Sequence, residues 1–85
     1  MYSIDWKKKA RKQLDKIADG QVRAEIKNAV AGLADLPTAA QVKKLTNHRY
    51  DYRLRVGPYR VFFDVAEAVK IVSIEEVKKR DDRTY

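Results

Sequence analysis

The chain has 85 residues, enough for a single domain over residues 1–85 with a modest hydrophobic core. It contains no cysteine, which excludes disulfides and thiolate metal sites, and its formal net charge is +7. The N-terminus has no apolar signal-peptide core, and no apolar run approaches the ~20 residues of a membrane span, so we expect a cytoplasmic protein.

The positive charge is unevenly distributed along the chain. Residues 1–19 carry a net +3 and residues 37–60 a net +5, whereas residues 61–85 carry a net −1. A basic excess confined to two segments favours an anionic partner such as a nucleic acid. The alternative is a general surface charge that only keeps the protein dissolved.

The first elements predicted in chain order are a short strand at residues 2–4 and a basic helix. Asp5 is a candidate N-cap for this helix, and Asp19-Gly20 is expected to stop it. Its narrow apolar stripe consists of Trp6, Ala10, Leu14 and Ile17. Such a helix can lie on a membrane, but the stripe lacks the large residues of a membrane anchor. We therefore expect it to pack on a sheet.

A second helix is predicted over residues 21–36, because apolar side chains recur on one face until Pro37 ends the pattern. Two helices joined by a tight turn form an αα-hairpin, which needs a sheet to cover. Residues 38–49 are predicted as a polar connection. Val42 and Leu45 are expected to tuck under it, while Lys43 and Lys44 stay exposed.

Residues 50–65 predict a β-hairpin with two different faces. Its apolar positions alternate along both strands and can be buried: Tyr52, Leu54, Val56, Tyr59, Val61, Phe63 and Val65. The opposite face carries three guanidinium groups, from Arg53, Arg55 and Arg60, together with Phe62 and Asp64. Arginine is the side chain best shaped for bidentate phosphate binding. Phe62 can stack on a base or pack under the tail, and Asp64 can orient an arginine.

A turn at residues 66–68 and a β-branched strand at residues 69–74 follow the hairpin. Because apolar residues fall on both of its faces, this strand is expected to be central and covered twice. Residues 75–85 form a charged tail. The order β-α-α-β-β-β predicts an α+β fold, in which an αα-hairpin packs on a mainly antiparallel twisted sheet.

The residues exclude several kinds of enzyme. There is no glycine-rich phosphate loop and no cluster with metal-ligand spacing, so no metal or cofactor is expected. His48 is the only histidine, which removes a two-histidine acid–base scheme. Arginine, lysine and tyrosine can bind RNA, and in one arrangement they can cleave it through the ribose 2′-hydroxyl. Tyr85 is a candidate base if the tail folds back, because adjacent cations favour the phenolate.

The segment YRLRVGPYRV at 52–61, followed by a β-branched strand and KRDDRTY at 79–85, closely resembles the RelE branch of the RelE/ParE toxin superfamily. The resemblance runs from the first strand to the last residue and includes the order of the elements. It implies a type II toxin that enters the ribosomal A site, where it contacts 16S rRNA and cuts mRNA. It also implies a cognate antitoxin, expected to be acidic and partly disordered.

The resemblance also implies roles for individual residues. Arg60 would stabilise the phosphorane, Arg80 would support the leaving oxygen, and Tyr85 would be the base. Arg53 and Arg55 stand where the archetype carries lysines, and they would bind the substrate backbone and hold the base ionised. Further RNA contacts are expected from Lys7, Lys8, Lys9, Arg11, Lys12, Lys43, Lys44, His48, Phe62, Lys79 and Arg83.

Two other functions fit the same sequence. A ParE-like toxin would poison DNA gyrase without nuclease chemistry; that branch has a similar architecture but generally lacks the joint set of Arg60, Arg80 and Tyr85. A non-catalytic RNA-binding module would use the same basic face only to hold RNA.

Overall fold

The computed structural model describes residues 1–35 and 41–79. The elements, in chain order, are β1 (Ser3–Trp6), α1 (Lys8–Asp15), α2 (Gly20–Ala31), a 3₁₀ helix (Gly32–Asp35), β2 (Val42–Lys44), β3 (Tyr52–Val56), β4 (Tyr59–Ala66) and β5 (Ile71–Lys79). None of the helices in the described ranges is long and apolar enough to cross a membrane.

The five strands form one sheet in the order β1-β5-β4-β3-β2. β1 pairs with β5 in parallel, and all the other neighbours pair antiparallel. The predicted α+β class, with a mainly antiparallel sheet under two helices, is therefore confirmed. β5 has a strand on each side, as expected of a central strand.

The predicted bounds of the last strand are wrong. β5 begins at Ile71 and continues to Lys79, through half of what was expected to be a charged tail. Val69 is 63% exposed and lies before the strand, so this β-branched residue belongs to the turn between β4 and β5.

The prediction for residues 38–49 as a connection without a strand is also wrong. β2 pairs with β3 at the sheet edge, with Val42 opposite Leu54. Val42 and Leu45 are half-buried, whereas Lys43 and Lys44 are exposed, as expected. Three residues with two lysines are too few to show a period-2 pattern, so the sequence gives little sign of this strand.

Asp5 does not cap the first helix. It lies in β1 opposite Ser73, and its carboxylate is 3.0 Å from the ammonium of Lys7, which occupies the N-cap position of α1. At the sheet edge beyond β1, the side-chain oxygen of Gln13 accepts a 2.7 Å hydrogen bond from the backbone N–H of Val77. α1 thus covers the part of β5 that β1 is too short to pair.

Asp19 starts the second helix. Its carboxylate accepts hydrogen bonds from the backbone N–H groups of Gln21 (2.9 Å) and Val22 (3.5 Å), the role of an N-cap. α2 ends at Ala31 and continues as the 3₁₀ helix, so it is shorter than predicted. The predicted helix end at Leu36 and Pro37 lies outside the described residues.

The core lies between the helices and one face of the sheet. The largest fully buried side chains are Phe63, Ile26, Leu33, Ile74, Val30, Val61 and Val72. They come from α2, the 3₁₀ helix and the two longest strands, while α1 contributes Ala10 and Leu14. The apolar face of the predicted hairpin is therefore the buried face.

Candidate nucleic-acid interface

The hairpin of β3 and β4 sets the geometry of the face opposite the helices, which we call the arginine face. Gly57 makes the turn with a φ of +54°, a conformation that side chains with a Cβ rarely adopt. The pairing then places Arg55 directly opposite Arg60, and Arg53 opposite Phe62. Because directly opposed residues of antiparallel strands project to the same side, the three predicted arginines share one face.

The neighbouring strands extend the basic character of this face. Lys43 of β2 lies opposite Arg53, and Lys78 of β5 lies opposite Arg60. Two rows of side chains therefore cross the sheet. One row runs Lys43, Arg53, Phe62, Glu76, and the other runs Arg55, Arg60, Lys78.

A β-bulge in β5 decides which residues of that strand reach the arginine face. Phe62 pairs with Glu76, but Phe63 pairs with Ile74, so Glu75 is an extra residue without a partner. Without the bulge, regular alternation would put Glu76 on the same side as the buried Ile74. With it, Val77 enters the core, and Glu76 turns to the arginine face.

The cations of this face have few anionic partners. Like charges directly opposite each other destabilise a strand pair, as Arg55 and Arg60 do here. Among the described residues, neither forms a salt bridge. The buried Nε of the half-buried Arg53 has no hydrogen-bond partner among the described residues. An anion bound between Arg55 and Arg60 would relieve their repulsion, which is the behaviour expected of a phosphate site.

Three rings lie beside the arginines and form what we call the aromatic cluster: His48, Tyr50 and Phe62. The His48 and Phe62 rings are stacked, with centroids 5.3 Å apart and planes 11° apart. The Tyr50 ring is 5.7 Å from Phe62 and 5.9 Å from His48. The backbone N–H of Tyr50 donates to His48 Nδ1 at 3.1 Å. Phe62 and Tyr50 are buried, whereas His48 is exposed.

Glu76 of β5 holds this cluster in place through a hydrogen bond with Tyr50. Its carboxylate accepts a 2.9 Å hydrogen bond from the Tyr50 hydroxyl and lies 3.4 Å from Lys9 Nζ and 3.5 Å from Lys78 Nζ. Burial alone would raise the pKa of Glu76, but the Tyr50 hydrogen bond and the two ammonium groups outweigh it, so the pKa is lowered. Burial and the same hydrogen bond raise the pKa of Tyr50. Glu76 is therefore a carboxylate and Tyr50 a neutral phenol near neutral pH.

Acid should weaken the fold through Glu76. Because its pKa is lower in the folded chain than in the unfolded one, its contribution to stability is complete above its usual pKa of 4.5. That contribution is lost as the pH falls from there through the folded-state value. Denaturant titrations between pH 6 and 3 should show a smaller pH dependence in Glu76→Gln than in wild type, and an intermediate one in Tyr50→Phe. An identical acid slope in all three proteins would contradict this account.

The structure assembles some of the predicted RNA-contacting residues and separates others. Lys43 and Phe62 lie on the arginine face, His48 stacks on Phe62 there, and the ammonium group of Lys9 reaches Glu76 from α1. Lys44 lies opposite Tyr52 and Lys79 opposite Tyr59, so their registers place them on the helix side. Lys78, which the sequence did not single out, lies on the arginine face in place of Lys79, because the bulge sets the alternation of residues 76–79.

The lysines and arginine of the first helix do not form one site with the hairpin. Lys7 pairs with Asp5, and Lys8, Arg11 and Lys12 are exposed on α1, in the layer on the other side of the sheet. Of the predicted α1 residues, only Lys9 is joined to the arginine face, through Glu76. The carboxylate of Asp64 accepts a 2.8 Å hydrogen bond from the backbone N–H of Asp51 and makes no ion pair with a described arginine.

Three predicted residues, Arg80, Arg83 and Tyr85, lie outside the described residues. β5 is described up to Lys79, opposite Tyr59 at the turn end of β4. Within residues 1–35 and 41–79, no group of His, Asp or Glu side chains is arranged to hold a metal ion.

Comparison with known proteins agrees with this architecture. The profile of the family described as "ParE toxin of type II toxin-antitoxin system, parDE" matches residues 4–83. A chain of the archaeal RelE–RelB complex from Pyrococcus horikoshii superimposes with a TM-score of 0.80 and 26% identity, over 98% of both chains. The isolated E. coli RelE toxin superimposes with a TM-score of 0.79 and 22% sequence identity, and the match covers 95% of this chain and 86% of that toxin. A chain of the E. coli RelBE toxin–antitoxin complex superimposes with a TM-score of 0.75 and 24% sequence identity, and the match covers 98% of this chain and 100% of that one.

The comparison with curated protein sequences gives no match. The family profile, however, spans nearly the whole chain, and the solved RelE toxins share its fold over nearly their whole length. The chain therefore belongs to the ParE toxin family of type II toxin–antitoxin systems, within the RelE/ParE superfamily, and its fold is that of the RelE branch.

Proposed function

We propose that this toxin inhibits translation by cutting mRNA in the A site of the ribosome. The observation that carries the proposal is the arginine face, where Arg53, Arg55 and Arg60 lie together without salt-bridge partners among the described residues. Lys78 adds a fourth cation opposite Arg60. Four cations on adjacent strands match the repeating negative charge of an RNA backbone.

The proposed reaction is an attack by the ribose 2′-oxygen on the adjacent phosphorus. The 2′-oxygen loses its proton and forms a bond to phosphorus, the bond to the 5′-oxygen breaks, and that oxygen takes up a proton. The products are a 2′,3′-cyclic phosphate and a 5′-hydroxyl. Charge on the phosphorane develops where guanidinium groups are already in place, so Arg60 and Arg55 stabilise the transition state more than the ground state.

The arginines cannot carry the proton transfers, because a guanidinium is not deprotonated in proteins. Tyr50 is a poor base as well, since its pKa is raised and its hydroxyl donates to Glu76. We therefore propose that Tyr85 is the base and that Arg80 supports the leaving oxygen, the roles that the resemblance to the RelE branch implies.

A cognate antitoxin is the partner we infer for this chain. Two of the three solved relatives described above come from RelE–RelB or RelBE complexes. A chain with net charge +7 and a cationic sheet face is complementary to an acidic segment that folds on binding.

Inhibition of DNA gyrase without cleavage is the second candidate function. The observation that favours it is the family profile, which is that of the ParE toxins. In that case the arginine face would hold a protein surface and not a scissile phosphate.

One experiment with the purified chain separates the two functions. Ribosomes programmed with a defined mRNA are treated with the toxin, and cuts are mapped by primer extension, while gyrase supercoiling is measured with the same preparation. We expect site-specific cuts in the A-site codon and unchanged supercoiling. Inhibited supercoiling without any cut would refute the nuclease proposal and support the ParE-like function.

A further inference from the structure

The aromatic cluster lies within the arginine face, around Phe62 in the row that contains Arg53. Phe62 is the cross-strand partner of Arg53, so the two side chains project from neighbouring strands on the same side. Arg49 adds a second cation at the cluster, with its guanidinium carbon 5.6 Å from the centre of the Tyr50 ring. Two arginines therefore lie next to the rings, and guanidinium groups beside a stacking ring are typical of sites that hold a single nucleic-acid strand.

Within residues 1–35 and 41–79, His48 is the one exposed ring of the cluster. Phe62 is 7% exposed and Tyr50 is 8% exposed, because each is covered by the other rings. Phe62 therefore cannot itself be the stacking platform that the sequence suggested. His48 is exposed: one face of its ring stacks on Phe62, and Tyr50, tilted by 43°, is the only other described ring in contact with it.

The His48 ring is also held in a fixed orientation. The Tyr50 N–H donates to Nδ1, so the neutral imidazole carries its proton on Nε2, at the outer edge of the ring. Asn47, the preceding residue, has a positive φ of 53°, which turns the chain so that the ring lies over Phe62. The Tyr50 ring, which packs beside His48, is itself fixed, because its hydroxyl donates a hydrogen bond to the buried Glu76.

We propose that the exposed ring of His48 is the stacking surface for one nucleobase of the bound RNA strand, beside the phosphates held by the arginine face. This inference rests on the proposed function, and it makes His48 a substrate-binding residue and not a proton carrier. Stacking on an aromatic ring tolerates any base, because every base has a π face. His48 therefore contributes affinity at one nucleotide position and little base preference.

Binding of the toxin to programmed ribosomes tests this proposal. The A-site nucleotides of the mRNA carry 2′-deoxyribose, so the attacking hydroxyl is absent and binding is measured without cleavage. His48→Ala should raise the half-saturating toxin concentration by roughly 5- to 150-fold, the loss that corresponds to one stacked base. His48→Phe keeps a ring and should bind within about threefold of wild type by the same reasoning.

A second set of mRNAs separates stacking from a structural role. Each carries one abasic nucleotide at a different position of the A-site codon. At one position the missing base should weaken wild type as much as His48→Ala does, and His48→Ala should lose nothing further there. A His48→Ala effect that is equal on every abasic mRNA, or no effect at all, would overturn the proposal.

The controls distinguish this failure from failure of the proposed function. If wild type cuts the unmodified mRNA but binding is indifferent to His48, only the stacking inference is wrong. If wild type neither binds nor cuts on programmed ribosomes, both are wrong.

Discussion

Replacing Arg60 with alanine should lower the rate of mRNA cleavage on the ribosome by about 10²–10³-fold, the usual effect of removing one preorganised donor to a transition-state oxygen. Arg60 lies in the middle of the cationic row, between Arg55 of β3 and Lys78 of β5. No other side chain of the described chain occupies that central place. Without Arg60, the positive charge between Arg55 and Lys78 is lost.

The fold should survive this change. Arg60 is half-buried on the arginine face and forms no salt bridge with a described residue. Its removal also relieves the repulsion from Arg55 on the opposite strand. We expect the free energy of unfolding to change by at most ~0.5 kcal/mol, as for other surface substitutions.

Single-turnover cleavage on programmed ribosomes measures the effect, with two comparison variants. Arg60→Lys keeps the charge but loses the planar fork, so its rate should fall between those of wild type and Arg60→Ala. Lys27→Ala removes an exposed cation from α2, in the helix layer, and should leave the rate unchanged. Cleavage by a stably folded Arg60→Ala within about threefold of wild type would exclude Arg60 from the transition-state site.

The hairpin could be predicted from sequence because its signals are local. Alternation over residues 52–56 and 59–65 fixes which side chains are buried, and a positive-φ glycine at the turn fixes the register. The meeting of Arg55 and Arg60 follows directly from these two facts. The same reasoning gave the two helices, in which Ala10, Leu14, Ile26 and Val30 are buried. The predicted extent of the first helix is wrong, however: Trp6 lies in β1, and α1 ends at Asp15, before Ile17 and the expected stop at Asp19-Gly20.

The remaining parts of the site depend on contacts that are distant in sequence. The bulge at Glu75 arises in the pairing of β4 with β5, and neither strand alone reveals it. It moves Lys78 and Glu76 to the arginine face and sends Lys79 to the other side. Likewise, His48 is placed by stacking on Phe62, fourteen residues later in the chain. Sequence periodicity reports on neighbours in the chain, and it could not supply either relation.

The other large effect we expect is on stability, from Phe63→Ala. Phe63 is the largest fully buried side chain, 0% exposed, and it stacks on Tyr52 with ring centroids 5.4 Å apart. It lies opposite Tyr52 and Ile74, so it joins β3, β4 and β5 under the helices. Truncating such a residue costs about 3–5 kcal/mol, because the ring's contacts are lost and a cavity remains. A domain of 85 residues has a total stability of only about 4–13 kcal/mol.

Chemical denaturation should therefore show Phe63→Ala either largely unfolded or with a strongly lowered midpoint. Phe63→Leu, which keeps most of the apolar volume, should retain more stability than Phe63→Ala and preserve a cooperative transition. Val69→Ala is the matched control: its side chain is 63% exposed, so its removal should cost no more than ~0.5 kcal/mol. Equal costs at positions 63 and 69 would mean that β4 is not the centre of the core. Because the arginine face is carried on the back of this strand, loss of Phe63 should also disperse Arg53, Arg55 and Arg60 and abolish activity without touching them.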